Sequence, residues 1–406
     1  MENHSVLKFY NLIKINPSSE IWLKSMRVKI RMLKILMTNI RLSLSHQNIP
    51  FHKYQLTRDS ARILFFFSNE YIGDAIKALK KIFGIYSINP ALRTSNKIKN
   101  IIEKLIIVGR EIIVKDDTFA LRVKRSGKHD YTSHDIAVKG GQAILDSFSD
   151  LNLKVDLTNP IKKIYIEVRN EFTYIYTDVI KTTWGGLPVE KRKKIMVSDI
   201  GRLTDLLAGF FLMRRGCEVY PILFQLTNEN GFLELFQKNW QKITNYSHSF
   251  NLKIRKVNFT GIINHLEKNL EQKQYICAIC RLARLEASSI ILKQQKLENF
   301  EKIRGISDGV SLNDLSHCPD EVELMTISLS YLFSRYPIFT PLIGLESDDI
   351  DGFLSEISEN LNNLDYCQFK PKNQDIDLKN LKELYRKLNL EDLIIECVNN
   401  IEEFRL

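Results

Sequence analysis

The chain has 406 residues, a length that favours two or three domains over a single core. Its composition, 44% hydrophobic and 26% charged residues, is typical of a folded globular protein and excludes the disordered classes. The apolar runs are too short for a membrane span and the N-terminus lacks a signal-peptide pattern, so we expect a cytoplasmic protein. Six unevenly spaced cysteines do not make a disulfide framework.

The net charge of +10 is unevenly distributed along the chain. Residues 341–406 hold 15 Asp and Glu against 7 Lys and Arg, which leaves a balance of +18 for residues 1–340. Residues 1–69 alone hold 11 Lys and Arg against 3 Asp and Glu. Basic charge concentrated on one part of a chain indicates a polyanionic partner, most often nucleic acid. An ordinary lysine-rich solvated surface is the alternative.

The first 92 residues alternate strand and helix patterns, and the helices are basic, which fits a ferredoxin-like half domain. We predict strands at residues 6–15, 61–68 and 86–92, the last at an edge of the sheet, and helices at 19–44 and 69–84.

Residues 93–182 form a second α/β region. We predict helices at 97–114 and 133–148, and strands at 118–127, 154–160 and 162–180.

Residues 183–193 contain two glycines, a proline and a basic run, which predicts a linker. Strands and helices alternate again from residue 194, and this pattern predicts a mostly parallel, doubly wound sheet. The tail from residue 371 reads as helical and acidic. The expected fold class is therefore α/β throughout.

Four short segments of the second region match one type of RNA-binding domain. These segments are FALRVKRSGKH at 119–129, TSHDI at 132–136, VDLTNP at 155–160 and IYIEVR at 164–169. Together they resemble a THUMP domain.

Other segments extend the resemblance to the tRNA 4-thiouridine synthetase family. WGGLP at 184–188 is similar to the linker that leaves the THUMP domain in that family. LKS at 23–25 and FGIYSINP at 83–90 resemble its N-terminal ferredoxin-like domain. FTPLIG at 339–344 and CQFKPKN at 367–373 resemble its C-terminal half.

The resemblance implies a ferredoxin-like domain at 1–92, a THUMP domain at 93–182, the linker at 183–193, and a PP-loop pyrophosphatase-like domain of HUP-like fold at 194–406. It also implies tRNA uridine thiolation, a sulfurtransferase reaction in which ATP adenylates the base and a cysteine-bound sulfur attacks it. The implied partners are the acceptor end of tRNA, a sulfur donor (a protein or sulfide) and a second copy of the chain. A catalytically inactive tRNA-binding paralogue and a cluster-carrying partner of an active synthetase are the alternatives.

The basic strand end of the THUMP-like segment is the predicted RNA contact, because cations around a turn at Gly127 can reach phosphates. The expected contact residues are Arg122, Lys124, Arg125, Lys128, His129 and Arg169.

The loop at residues 200–205 stands where the family carries S-G-G-x-D-S, which holds the phosphates of ATP. Only Gly201 of that motif is present, and the aligned loop carries Arg202, Thr204 and a shifted carboxylate at Asp205. Bulky side chains prevent a close approach of the backbone to phosphate. We therefore expect a degenerate site that has lost conventional binding of ATP and Mg²⁺, with a phosphate site rebuilt around Arg202 as the alternative.

Cys277 and Cys280 are spaced i and i+3 at the start of a predicted helix, so both thiols can face one way. They match a C-x-x-C of some family members, and Cys367 matches the position of the family's sulfur-carrying or third metal-binding thiolate. The three thiols are expected to hold an iron–sulfur cluster with one open iron. Zinc with a fourth ligand from His317 or Cys318, or plain apolar packing of the cysteines, are the alternatives.

Overall fold

The computed structural model describes residues 9–57, 62–248, 252–294, 302–311, 324–364, 367, 369 and 376–405. The chain divides into two compact units, Met1–Gly185 and Gly186–Leu406. The division falls inside the predicted linker. Among the described residues, no helix is both long and apolar enough to cross a membrane.

The strands of the described residues are β1 (Leu12–Pro17), β2 (Lys53–Leu56), β3 (Ile63–Phe66), β4 (Ile85–Ser95), β5 (Thr118–Arg125), β6 (Lys154–Val155), β7 (Lys162–Val168), β8 (Phe172–Tyr176), β9 (Ile180–Lys181), β10 (Glu190–Asp199), β11 (Cys217–Gln225), β12 (Lys253–Asn258), β13 (Ile303–Asp308), β14 (Ile338–Phe339) and β15 (Glu402–Arg405).

The helices of the same residues are α1 (Ser19–Trp22), α2 (Met26–His46), α3 (Ile72–Lys80), α4 (Ile98–Ile112), α5 (Ser133–Ser147), α6 (Leu203–Arg214), α7 (Phe232–Thr244), α8 (Thr260–Asn269), α9 (Ile276–Gln294), α10 (Leu324–Phe333), α11 (Ser347–Ile357), α12 (Leu378–Lys387) and α13 (Glu391–Asn399).

One continuous sheet forms the centre of the first unit. Its strand order is β2-β3-β1-β4-β8-β7-β5-β6, and β9 also pairs with β4. The prediction of an edge strand at 86–92 is wrong, because β4 lies in the middle of this sheet. Its first half pairs with β1 and its last four residues pair with β8, so one long strand joins two sets of strands.

Two helices of the first unit illustrate how local sequence sets their boundaries. The predicted helix at 19–44 is interrupted: Ser18 Oγ caps the short α1 by accepting from Glu20 N at 3.2 Å, and Ser25 is the N-cap of α2. The predicted helix at 133–148 is confirmed as α5. Thr132 and Asp135 form its capping box, in which each side chain accepts from the other's backbone N–H.

The second unit contains a six-stranded sheet of order β14-β13-β10-β11-β12-β15. All neighbours are parallel except β12 and β15, which are antiparallel. The predicted doubly wound parallel sheet is confirmed. The first strand of this unit, β10, lies between β11 and β13, so the chain leaves β10 in one direction and later returns to its other side. Ligands of such sheets bind outside the carboxyl ends of the strands at this switch point.

The acidic tail is only partly helical, since α12 and α13 are followed by strand β15 at the sheet edge. Glu403 lies 2.7 Å from Lys253 Nζ and 2.8 Å from Arg255 Nη2, and Glu402 lies 2.8 Å from Lys256 Nζ. The prediction of a wholly helical tail missed this strand because its partner, the basic strand β12, is distant in sequence. Part of the acidic excess of the tail therefore neutralises cations of its own unit.

Candidate functional site

Two buried aspartates mark the switch point of the second unit. Asp199 ends β10 and Asp308 ends β13, and Ser198 is paired in register with Asp308. Both carboxylates are 1% exposed. The N-terminus of α6 begins four residues after Asp199, at the place where a phosphate loop of this fold holds its ligand.

The loop between β10 and α6 is closed by its own carboxylates. Gly201 N donates to Asp199 Oδ1 at 2.7 Å, and Ile200 N donates to Asp205 Oδ2 at 3.1 Å. Arg202 Nη2 lies 2.9 Å from Asp205 Oδ1, and these two side chains are 5% and 0% exposed. Backbone N–H groups that would face a phosphate in a phosphate loop therefore donate to side chains of the chain itself.

Two glycines make this close packing possible. Gly201 has a φ of +97°, and a Cβ at this position would lie 2.8 Å from the Phe232 ring. A Cβ on Gly309, just after β13, would lie 2.4 Å from Asp205 Oδ1. The backbone at Gly309 thus runs directly against the carboxylate that occupies the loop.

Three arginines accompany the three aspartates at this edge of the sheet. Arg281 Nε donates to Asp308 Oδ2 at 2.8 Å. Burial opposes the ionisation of Asp308, but Arg281, Arg284 and Arg202 outweigh it and lower the pKa of this carboxyl. For Asp199 the balance is the reverse: burial and then the Asp205 carboxylate raise its pKa well above the usual range, although Gly201 N and Trp240 Nε1 donate to it.

The three predicted cysteines line one small cavity beside this cluster. The cavity measures about 20 Å³. Cys277 and Cys280 lie in the first turns of α9, and Cys367 follows α11. The lining residues are Ile200, Arg202, Leu226, Ile263, Ile276, Cys277, Cys280, Arg281, Arg284, Cys367 and Phe369.

We name the space lined by these residues the cysteine cavity. Arg202, from the loop between β10 and α6, lines it together with the three cysteines. No disulfide links the five described cysteines. Within the described ranges, no group of three or more His, Cys, Asp or Glu side chains is arranged to hold a metal ion. His317 and Cys318, the predicted fourth zinc ligands, lie outside the described residues.

Sequence reasoning missed Arg281 and Arg284 as members of this site. A signal for them was present, since residues 277, 280, 281 and 284 are spaced i, i+3, i+4 and i+7, which places them on one face of a helix. The pattern of two cysteines and two arginines on that face distinguishes it from an ordinary apolar stripe.

The predicted RNA-contact residues of the first unit differ in how freely their side chains can move. Lys124 and Lys128 are exposed at the end of β5 and in the turn after it. Arg122 Nη2 donates to the Leu157 carbonyl at 2.7 Å, and Arg125 Nη1 donates to the Gly127 carbonyl at 3.1 Å.

The two remaining predicted contacts are held by structural hydrogen bonds. His129 is half-buried, and its Nε2 lies 3.2 Å from Asn96 Nδ2 and 3.1 Å from the Arg169 carbonyl. Arg169 Nε donates to Glu167 Oε1 at 2.7 Å. Both side chains therefore make hydrogen bonds within the protein.

Glu167 is the centre of a buried ion cluster that the sequence did not reveal. Arg62 Nε lies 2.7 Å and Arg169 Nη2 2.5 Å from Glu167 Oε1, and Lys14 Nζ contacts Oε2. Burial opposes ionisation of Glu167, but the three cations outweigh it and lower its pKa to about 2. For Lys14, burial exceeds the attraction of Glu167 and lowers the pKa to about 8.

A second cavity, of about 320 Å³, opens beside this cluster. Arg62, Arg169, Phe172 and Tyr174 are among its lining residues. Cations next to aromatic rings suit a phosphate and a stacked base.

Comparison with known proteins identifies the family. A model described as "ThiI ferredoxin-like domain" matches residues 12–89, one described as "THUMP domain" matches 94–178, and one described as "Thiamine biosynthesis protein (ThiI)" matches 201–388. A probable tRNA sulfurtransferase of Saccharolobus solfataricus is 30% identical over 399 residues, which cover 96% of this chain and 100% of the relative. The chain belongs to the tRNA sulfurtransferase family.

A second relative agrees with this assignment, and two solved structures share the fold. The probable enzyme of Methanobrevibacter smithii is 28% identical over 401 residues, 94% of this chain and 97% of the relative. A crystal structure of a 4-thiouridine synthetase–RNA complex with bound ATP superposes with a TM-score of 0.76 at 21% identity, covering 97% of this chain and 99% of that one. A Pyrococcus horikoshii structure has a TM-score of 0.62 at 23% identity, covering 86% and 99%. The predicted resemblance and its fold class are confirmed.

Proposed function

We propose that this tRNA sulfurtransferase acts in the thiolation of tRNA uridine, with sulfur carried by Cys277, Cys280 and Cys367. Family membership supports the reaction. The observation that carries the assignment of residues is the cysteine cavity, in which three thiols from two distant segments meet at the switch point of the sheet. That is where a doubly wound fold places its ligands.

The donor chemistry of the cavity suits an iron–sulfur cluster, because thiolates are the usual ligands of such clusters. Cys277, Cys280 and Cys367 would hold it, and the open iron would supply a binding position for one inorganic sulfur atom. Since no group of three such side chains is arranged to hold a metal ion among the described residues, the three cysteines would have to rearrange when a cluster or zinc is loaded.

The first unit supplies tRNA binding in this proposal. The matched segments 12–89 and 94–178 support a ferredoxin-like domain at 1–92 and a THUMP domain at 93–182. Shape and phosphate contacts would position the acceptor end of the tRNA. Lys124 and Lys128, exposed at the end of β5 and in the turn after it, are the leading phosphate contacts, and Arg122 and Arg125 follow them.

A second candidate function is that of a sulfur carrier, for which a partner enzyme activates the uridine. Because the loop amides donate to Asp199 and Asp205, and Arg202 fills the loop, the geometry favours a chain that does not hold ATP in the conventional way. Such a chain would bind tRNA and carry sulfur, while a partner synthetase adenylates the base. Binding of ATP with rebuilt phosphate contacts at Arg202 is the opposing possibility.

One anaerobic preparation tests both candidates. ATP binding is measured by calorimetry, iron and acid-labile sulfide are assayed in the same sample, and thiolated uridine is measured by mass spectrometry after incubation with tRNA, ATP and sulfide. Thiolation without a partner supports the complete sulfurtransferase. Absence of ATP binding together with thiolation only after a partner is added supports the sulfur carrier, and no thiolation under either condition contradicts the proposal.

A further inference from the structure

An asparagine interrupts the apolar face of helix α7. The buried residues of this helix are spaced as one helical face, and they are Phe232, Phe236, Asn239, Trp240 and Ile243. Asn239 is 3% exposed. Burial of a side-chain amide costs free energy unless its N–H and carbonyl groups are hydrogen-bonded, so the position of Asn239 depends on the partners of its amide.

Both ends of the Asn239 amide pair with the backbone of one distant residue. Asn239 Nδ2 donates to the Asn362 carbonyl at 2.8 Å, and Asn362 N donates to Asn239 Oδ1 at 2.8 Å. Asn362 Nδ2 donates to the same Oδ1 at 3.2 Å. The amide therefore pairs with the chain in both directions, as a neighbouring β-strand does. It attaches the segment that follows α11 to helix α7.

The attached segment leads directly to the cysteine cavity. Leu364 is 1% exposed, and a Cβ on Gly201 would lie 3.1 Å from Leu364 Cβ, so this side chain packs against the loop between β10 and α6. Cys367 follows three residues later and lines the cavity. Because only five positions separate Asn362 from Cys367, fixing the first limits where the thiol of the second can lie.

Helix α7 is also attached to the end of β10 and to the end of α11. Trp240 Nε1 donates to Asp199 Oδ2 at 3.0 Å, and Asp199 is the last residue of β10. Tyr246 OH, just after α7, donates to the Ile357 carbonyl at 3.2 Å. Both hydrogen bonds are buried. The helix therefore holds the strand before the altered loop together with the segment that leads to Cys367.

We propose that Asn239 is a positioning residue of this sulfurtransferase, whose amide holds the segment after α11 so that Cys367 meets Cys277 and Cys280. This inference rests on the proposed function, because it concerns the placement of the thiols that would carry sulfur. Asn239 is absent from the cavity lining and acts through the backbone of residue 362.

Alkylation of individual cysteines in the native full chain tests this role. The chain is purified anaerobically, bound metal is removed with a chelator, and iodoacetamide labelling of each thiol is followed by mass spectrometry. Asn239→Leu keeps the branched shape of the side chain and removes both hydrogen bonds to the backbone of residue 362. Two hydrogen bonds shift a local opening equilibrium by roughly tenfold to a hundredfold, so Cys367 should react faster by that factor.

Two comparisons separate positioning from a general loss of stability. Asn362→Ala keeps the backbone groups that pair with Asn239 and removes only the longer third hydrogen bond, so Cys367 should react within about threefold of the wild-type rate. Cys397, partly buried against the core of the same unit, should keep its rate in every variant. If Asn239→Leu accelerates Cys397 as much as Cys367, the asparagine only stabilises the unit and the proposal is wrong.

A second variant covers the case in which Asn239→Leu does not fold, as judged by circular dichroism. Tyr246→Phe removes one hydroxyl from the same attachment and keeps the ring that packs against Phe210. Loss of one hydrogen bond should accelerate alkylation of Cys367 by about twofold to tenfold. Wild-type rates at Cys367 in this variant would contradict the attachment.

The failure of this inference is distinguishable from failure of the proposed function. In steady-state thiolation, Asn239→Leu should lower kcat and leave the KM for tRNA unchanged, because the proposed RNA contacts belong to the first unit. If wild type thiolates tRNA and Cys367 reacts at the wild-type rate in Asn239→Leu, the positioning role is wrong and the function stands. If Cys367 alone becomes reactive but Cys367→Ser thiolates tRNA as well as wild type, Asn239 positions Cys367 and the proposed role of that thiol is wrong.

Discussion

The two units each contain a buried cluster of charges, and the clusters differ in the side chains that lie beside them. In the first unit a single carboxylate, Glu167, receives Lys14, Arg62 and Arg169. In the second unit Asp199, Asp205 and Asp308 lie beside three arginines that line the cysteine cavity. The comparison teaches that buried charge alone does not mark a site. A cluster that converges on one carboxylate stabilises the fold, whereas a cluster whose arginines line a cavity together with three thiols is a candidate site.

The largest expected effect is the loss of Asp205. Asp205→Ala removes the carboxylate that pairs with the buried Arg202 guanidinium and accepts a hydrogen bond from Ile200 N–H. Removing one partner of a buried ion pair costs about 3–5 kcal/mol, so the free energy of unfolding of the second unit should fall by that amount. Urea denaturation measures it. A loss below about 1 kcal/mol is the range of an exposed pair such as Glu234 with Lys238. It would show that water replaces the Asp205 carboxylate as the partner of the Arg202 guanidinium.

The next effect concerns the first cluster and its dependence on pH. The pKa of Glu167 is lowered from 4.5 to about 2, so its stabilisation is fully present above pH 4.5 and is lost as the pH falls toward 2. At about 1.4 kcal/mol per pKa unit, Glu167→Gln should lower the free energy of unfolding at pH 7 by about 3 kcal/mol.

The variant should also be less sensitive to acid than the wild type between pH 4.5 and 2, as measured by denaturation at a series of pH values. The exposed carboxylate variant Glu234→Gln serves as the control. Parallel acid curves for Glu167→Gln and the wild type would mean that Glu167 is not ionised in the folded state.

The third prediction tests whether the second cluster serves chemistry. Cys277→Ser, Cys280→Ser and Cys367→Ser should each reduce tRNA thiolation by more than about a hundredfold, since a hydroxyl is a poor ligand for iron and does not carry sulfur. Cys397→Ser, half-buried against the core of the same unit and absent from the cavity lining, is the matched control. Equal activity of all four variants would show that the three thiols only pack against their neighbours.

The smallest effect is expected at the RNA-binding surface of the first unit. Lys124→Ala and Lys128→Ala remove exposed cations at the end of β5 and in the turn after it, so each should weaken tRNA binding and lower the salt slope by roughly one unit per lost phosphate contact. Filter binding at several salt concentrations measures both quantities. His129→Ala provides the contrast: its hydrogen bonds lie within the protein, so it should change stability more than the salt slope.

Much of the architecture could be predicted because it depends on local patterns. Helix α5 follows from the Thr132 cap and its periodicity. The grouping of Cys277, Cys280 and Cys367 was implied by the family resemblance. The central position of β4 and the pairing of β15 could not be predicted, because strand neighbours are chosen by long-range packing.

The ion clusters were beyond sequence reasoning for a related reason. Lys14 and Glu167 are 153 residues apart, and the local sequence around either residue does not indicate that they pair. Arg281 and Asp308 are 27 residues apart and belong to different elements. Of these residues, only Arg281 and Arg284 could be predicted from the sequence, because their spacing places them on the same face of α9 as Cys277 and Cys280.

The pairing of β12 with β15 has a consequence for how the polypeptide is made. Every strand of the first unit precedes residue 182, so that sheet can assemble while the ribosome is still translating the second unit. The sheet of the second unit remains open along β12 until residue 405 has emerged, about 150 residues later. During that interval the uncovered edge carries Lys253, Arg255 and Lys256. The positive charges on the β12 edges of neighbouring nascent chains repel one another, which opposes aggregation until the acidic strand β15 pairs with β12.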